Sequence, residues 1–180
     1  MLIIIGPSAS GKTEAAKILE KKYGLKKVIT HTTRNKRIGE IDDVDYHFID
    51  KKLFLRLKSE NFFVETMSYN NNFYGTSKNE ISDNKCVVLD PSGAEAFYNL
   101  HDQRIYIVFF ICSEEICKQR MINRLDQPDI ILKRLESDRL VFNKEKQKIA
   151  NMIINSESSS PEEIADKIFF LYTNYLSTIR

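Results

Sequence analysis

Three observations predict an α/β fold with a parallel central sheet: a wholly apolar, β-branched tetrad at residues 2–5 (LIII), similar apolar runs at 86–90 (CVVLD), 105–112 (IYIVFFIC) and 151–155 (NMIIN), and the helix-like stretches that separate most of them. Short continuous apolar runs suit strands that are covered on both faces, as in a parallel sheet with helices on each side.

The first strand leads into GPSASGKT (6–13) and then KTEAAKILEKKY (12–23), whose Ala15, Ala16, Ile18, Leu19 and Tyr23 have helical spacing. Ser113, followed by Glu114, Glu115 and Ile116, reads as a helix N-cap with an acidic first turn. Ser160 before Pro161 reads as another, opening an amphipathic helix toward Leu176 that packs on the sheet. Residues 30 to 85 break the alternation. A polar, Arg-rich segment is followed by DYHFID, a short helix-like KKLFLRLKSE, and FFVETMSYNNNFYGTS, where Asn70, Asn71 and Asn72 suit a turn between two strands. This is the pattern of an inserted, mostly β lobe with its own small hydrophobic cluster.

With 180 residues, 42% of them hydrophobic, the chain can bury the core of one compact domain carrying such a lobe. The net charge of +2, from 27 basic and 25 acidic side chains, provides no broad field for nucleic acid or an anionic membrane, so an anionic ligand must be held by local clusters. Cys86, Cys112 and Cys117 lack metal-ligand or C-x-x-C spacing and read as buried, reduced thiols. MLIII is too short for a signal peptide and no apolar run approaches 18 residues, so a soluble, cytoplasmic protein is expected.

GPSASGKT fits the phosphate-loop pattern G-x-x-x-x-G-K-[ST] at every fixed position. Gly6 and Gly11 let the backbone curl so that amides from Ser8, Ala9, Ser10, Gly11, Lys12 and Thr13 face one point beside the positive end of a helix. Lys12 then reaches the β- and γ-phosphates of a nucleotide, and the Thr13 hydroxyl suits the accompanying Mg²⁺. The loop alone does not separate a hydrolase, a motor, a switch and a kinase.

A second anion site is suggested by THTTRNKRIGEIDDVDYHF (30–48), where Arg34 and Arg37 lie close together ahead of Tyr46. Guanidinium forks match the oxygens of a phosphate monoester and stay charged. Taken alone, Arg34, Lys36 and Arg37 more often describe a solvated basic loop.

The neighbouring residues decide the matter. TTRNKRIGEIDDVDYHF resembles the GMP-phosphate segment of guanylate kinases, TTR-x-x-R-x-G-E followed by D-Y-x-F, and FFVETMSYNNNFYGTS resembles their F-x-E…YYGT segment. With GPSASGKT, the resemblance runs in order from residue 2 to about 155. It implies a three-layer P-loop kinase fold and the reaction ATP + GMP ⇌ ADP + GDP, by direct in-line transfer with Mg²⁺. It also implies a core at about 1–30, 85–117 and 140–180, a GMP-binding lobe at about 31–84, and a helical lid at about 118–139.

Carried onto matching positions, the resemblance implies that Arg34, Arg37, Tyr46 and Tyr74 bind the GMP phosphate, with Glu40 and Glu65 bracing the pocket. Thr30, Glu65 and Thr76 would read guanine. A carboxylate at 65 can accept from both N1–H and the exocyclic amine, a pair that adenine does not offer, and hydroxyls at 30 and 76 can donate to O6. In the lid, Arg120, Arg124 and Arg134 match the family's arginines and would join Lys12 and Arg34 around the transferring group. No histidine is expected in catalysis: His31 and His47 point elsewhere and His101 is a surface residue.

The chain also departs from the family. Where D-x-D-x-x-G is usual it has VLDPSGAEAF, so Asp90 matches the first acid, able to hold the metal through water, and Ser92 replaces the second. Losing a buried carboxylate costs about 1–3 kcal/mol of base recognition, which predicts weaker GMP affinity or selectivity. The lid is about a residue short, with Gln127 and Pro128 where glycine is common. Asn155 resembles a family position near adenine. The competing expectations are a relative with another acceptor, such as dGMP, IMP or a phosphosugar, and a catalytically inactive interaction module; the intact phosphate loop opposes the latter.

Overall fold

The computed structural model describes residues 1–69 and 71–179. Its elements run β1 (Leu2–Ile5), α1 (Lys12–Tyr23), β2 (Lys26–Lys27), β3 (His31–Thr32), β4 (His47–Phe48), α2 (Lys51–Ser59), β5 (Phe63–Tyr69) and β6 (Asn72–Ser77). They continue with β7 (Lys85–Val88), α3 (Pro91–Tyr98), β8 (Tyr106–Ile111), α4 (Glu114–Asn123), α5 (Pro128–Val141), β9 (Met152–Asn155) and α6 (Pro161–Thr178).

The central sheet is parallel, in the order β2-β7-β1-β8-β9, and the predicted fold class is borne out. β1 lies at its middle with all four side chains fully buried. Because successive strand residues face opposite ways, Leu2 and Ile4 pack with Ala15, Leu19, Ile168 and Tyr172 of α1 and α6, whereas Ile3 and Ile5 pack with Ala94 and Phe97 of α3. One apolar tetrad thus serves both layers of helices, which is why it does not alternate with polar residues.

The helix ends follow the local chemistry. α1 ends at Gly24 in the left-handed region, whose N–H donates to the carbonyls of Glu20 and Leu19. α6 opens with a complete capping box: the Ser160 hydroxyl accepts from Glu163 N and the Glu163 carboxylate accepts from Ser160 N. Ser113 caps α4 by backbone position only; its own N–H donates to Glu157 Oε1.

The break at 30–85 is a second sheet, ordered β4-β3-β6-β5, in which β3 pairs parallel to β4 and β6 pairs antiparallel to β3 and β5. α2 covers it through Phe54, fully buried and stacked on Phe63 at 4.7 Å and Phe73 at 5.4 Å between ring centroids. Asn71 takes the left-handed conformation (φ 61°) before β6; Asn70, the other residue expected in that turn, lies outside the described residues. Glu80 braces the junction of the two sheets: its carboxylate accepts from Ile29 N at 3.1 Å and from Lys85 Nζ at 2.7 Å while only 8% exposed.

All three cysteines are free; Cys86 and Cys117 are buried, whereas Cys112 is only half-buried. No helix among the described residues is long and apolar enough to cross a membrane.

Candidate active site

The loops after β1, β7, β8 and β9 leave the same edge of the parallel sheet, where ligands of open α/β sheets bind. Residues 6–11 make the first of these turns. Gly6 has φ 150°, and a Cβ there would lie 2.7 Å from both Cβ and the carbonyl oxygen of Phe110 on β8, so the loop starts against the sheet backbone. Gly11 (φ 97°) turns into α1, and Ala9 also adopts a positive φ, 58°. Lys12 Nζ donates to Pro7 O at 2.6 Å and Ser10 Oγ at 3.4 Å, folding back over the loop. Burial pushes its ammonium down to about 8, opposed chiefly by the charge of Asp138.

A cavity of about 750 Å³ lies between the two sheets and brings together eight of the predicted residues, Thr13, Thr30, Tyr46, Glu65, Tyr74, Thr76, Asp90 and Ser92. Its chemistry is graded. At one end, Tyr46 and Tyr74 approach edge-on, with ring centroids 6.2 Å apart, and Arg34 stands over the Tyr46 ring at 5.4 Å. Arg34 is held by Glu40 at 2.7 Å, with Tyr74 also in hydrogen-bond contact, and these partners raise its already high pKa. Glu40 is held below the usual carboxylate range by Arg34 and by the Arg37 backbone N–H. The Arg37 guanidinium is exposed and makes no ion pair among the described residues.

Toward the parallel sheet, Glu65 on β5 accepts the Thr76 hydroxyl of β6 at 2.7 Å. Burial raises the Glu65 carboxyl, with the Thr76 hydrogen bond opposing and the Asp90 charge adding to the rise. A carboxylate has no proton to give, so the Thr76 hydroxyl must be the donor here. In this geometry the Thr76 hydroxyl orients Glu65. Asp90, on the cavity wall, uses Oδ1 to cap α3 at Gly93 N, 2.7 Å away, and β7 ends two residues before the end of the run expected at 86–90.

The lid arginines are not gathered over the loop. Arg120 is tied to the core, donating to Ser156 O at 2.7 Å and Ala9 O at 3.3 Å. Arg124 and Arg134 instead converge on Asp126 Oδ2, at 2.8 and 2.9 Å. A smaller hollow of about 190 Å³ beside the phosphate loop is lined by Ser10, Gly11, Arg120, Ser156, Ser159 and Pro161, among others. Asn155 is outside it, its side-chain oxygen accepting from Glu157 N at 2.9 Å to hold the turn. Of the histidines, His31 lies tilted against His47 at 4.4 Å between ring centroids and edge-on to Phe62 and Phe63, His47 pairs with Asp43 at 2.6 Å, and His101 is exposed.

Sequence reasoning missed Lys27, whose Nζ lies 5.7 Å from the Tyr46 ring centroid on the cavity wall, and Asp138, whose Oδ2 accepts the Ser8 N–H at 2.7 Å. Neither carries a motif, and only tertiary placement makes them part of the site.

The Guanylate kinase family model matches residues 1–162. The chain is 34% identical over 145 residues to the guanylate kinase of Clostridium perfringens, covering 76% of this chain and 67% of that one. It is 32% identical over 146 residues to the guanylate kinase of Anaplasma phagocytophilum, covering 76% and 70%. The crystal structure of guanylate kinase from Anaplasma phagocytophilum superposes with a TM-score of 0.66 at 25% identity, covering 97% of this chain and 84% of that one. A structure from Eubacterium ventriosum, at 13% identity and a TM-score of 0.57, shares the fold. A phosphate loop opening onto a cavity with an arginine–tyrosine end and a buried carboxylate, together with these likenesses, leads to one conclusion: the chain belongs to the guanylate kinase family.

Proposed function

We propose that the chain transfers the γ-phosphoryl group of ATP to GMP, giving ADP and GDP. The observation that carries this reading is the cavity itself. Thr13, Tyr46, Tyr74 and Glu65 line it together, and Arg34 stands over the Tyr46 ring, which supports an acceptor site for a phosphorylated base next to the phosphate loop.

Each residue's part follows from its chemistry. The amides of residues 8–13 and the Lys12 ammonium hold the donor phosphates. Arg34, kept charged and oriented by Glu40, holds the acceptor phosphate with Tyr46 and Tyr74, and Arg37 joins when an anion arrives. Glu65 accepts from the N1–H and exocyclic amine of guanine, while Thr30 supplies a hydroxyl toward O6 and Ser92 lines the base end. Deoxyguanosine monophosphate offers the same base and phosphate and fits the same contacts.

The transferring group spreads charge over its equatorial oxygens, so positioned cations serve it better than a strong base. Arg120 is already beside the loop; Arg124 and Arg134 must leave Asp126 to reach it. We assign residues 118–139 to the closing lid and residues 31–84 to the acceptor lobe, whose approach to the core excludes water. Asn155 would act on the nucleoside side by shaping the turn that carries Ser156.

The donor set also fits Mg²⁺: the Thr13 hydroxyl, without a hydrogen-bond partner among the described residues, and the Asp90 carboxylate, both on the cavity wall, offer hard oxygen ligands. Bound with ATP, the ion would neutralise charge on the β- and γ-phosphates.

The test is ADP release with ATP and Mg²⁺ against GMP, dGMP, AMP, IMP, UMP and no acceptor. Turnover confined to GMP and dGMP is the expected result. Activity on none of these with ATP still bound would overturn the reading and favour a non-catalytic module.

A further inference from the structure

The phosphate loop is engaged by a carboxylate of its own chain. The Ser8 N–H of the phosphate loop donates to Asp138 Oδ2 at 2.7 Å, across 130 residues of sequence, from α5. The same carboxylate acts electrostatically on Lys12, whose Nζ is folded back onto Pro7 O. Among the described residues Asp138 has no ion-pair partner of its own within 4 Å, because the adjacent Arg139 is bound to Glu114. Just ahead of α5, Asp126 occupies Arg124 and Arg134 together.

We propose that Asp138 is an internal stand-in for the terminal phosphate of the donor nucleotide, latching α5 onto the empty loop and leaving when a triphosphate binds. This rests on the reading of the loop as the ATP site. A carboxylate oxygen and a phosphoryl oxygen seek the same donors, and the Ser8 amide has a single proton to offer. Two anions beside one partly buried ammonium also repel each other strongly where water is scarce. The donor phosphate and Asp138 therefore exclude each other, and the affinity of the loop for triphosphate is lowered by the population of the latched state. Displacing Asp138 frees α5 to move, and with it Arg134, so donor binding and the release of the lid arginines are one event.

The variants D138N and D138A test this in the full chain by calorimetric titration, without acceptor, using ATP with Mg²⁺, inorganic tripolyphosphate with Mg²⁺, and adenosine. If the latched state holds nine molecules in ten, both variants bind ATP and tripolyphosphate about tenfold more tightly than the parent, with adenosine unchanged. Amide hydrogen exchange over 128–141 in the empty protein should also be faster in both variants. Unchanged or weaker triphosphate binding in both variants, with melting temperatures near the parent's, would overturn the proposal. Failure of the parent to phosphorylate GMP would bear on the acceptor assignment and would leave this titration readable, since no acceptor is present.

Discussion

The Glu65 carboxylate accepts the Thr76 hydroxyl at 2.7 Å across the paired strands β5 and β6, which fixes its direction into the wall of the cavity. Replacing it with a neutral amide of the same shape keeps the packing and loses an acceptor for guanine. E65Q should lower kcat/KM for GMP by about 10- to 100-fold, corresponding to about 1–3 kcal/mol, with the KM for ATP little changed. Because burial raises the Glu65 carboxyl, GMP binding should weaken on acidification earlier than an ordinary carboxylate predicts, and E65Q should lack that limb. Steady-state kinetics across pH with both proteins checks both statements.

Lys12 is pushed down to about 8 by burial. Its unfolded counterpart titrates near 10.5, so the unfolded chain binds more protons between these values. The cost to stability is therefore fully present below pH 8 and is relieved as the pH rises toward 10.5. K12M should stabilise the empty protein at pH 7 by on the order of 2 kcal/mol in thermal or denaturant unfolding, while abolishing ATP binding. In the parent, polyphosphate restores the charge of Lys12, so ATP binding above pH 8 should take up a proton. Calorimetry in buffers of different ionisation enthalpy measures that uptake.

His31 is lowered to about 4 by burial and by His47, against an unfolded value of 6.5. Between those values the unfolded chain binds the extra proton, so this contribution to stability is intact above pH 6.5 and is lost as the pH falls toward 4. The ring is only half-buried, so solvent screening reduces the effect to about 1 kcal/mol. H31F, placed among Phe62, Phe63 and His47, should flatten the loss of stability between pH 6.5 and 4. Denaturant melts over that range decide it.

Gly6 cannot be replaced cheaply. The added Cβ of G6A meets Cβ and the carbonyl oxygen of Phe110 at 2.7 Å, and backbone cannot rotate away as a flexible side chain can. A loss of about 2–4 kcal/mol is expected, measurable as a lowered denaturation midpoint, with ATP binding lost in parallel.

The parallel sheet was legible because β1 and β8 are buried on both faces and therefore read as unbroken apolar runs. The α1 boundaries were legible for a similarly local reason: a fixed loop before it and Gly24 after it. Residues that depend on distant partners were less so. Thr76 reads as a hydroxyl free to meet a ligand until β6 is laid beside β5, when its proton falls to Glu65. Asn155 lies at the right end of its strand, yet its side chain is taken by the local turn at Glu157. Asp138 shows nothing in the sequence because its partner is a backbone amide 130 residues away.

Direct passage of the phosphoryl group from ATP to GMP within one closed site can be followed by ³¹P nuclear magnetic resonance of the protein with ATP, GMP and Mg²⁺. GDP and ADP should appear in equal amounts with negligible inorganic phosphate, and no GDP should form when Lys12 is replaced by methionine. ADP accompanied by inorganic phosphate instead of GDP would contradict it, showing a donor site that delivers its phosphoryl group to water.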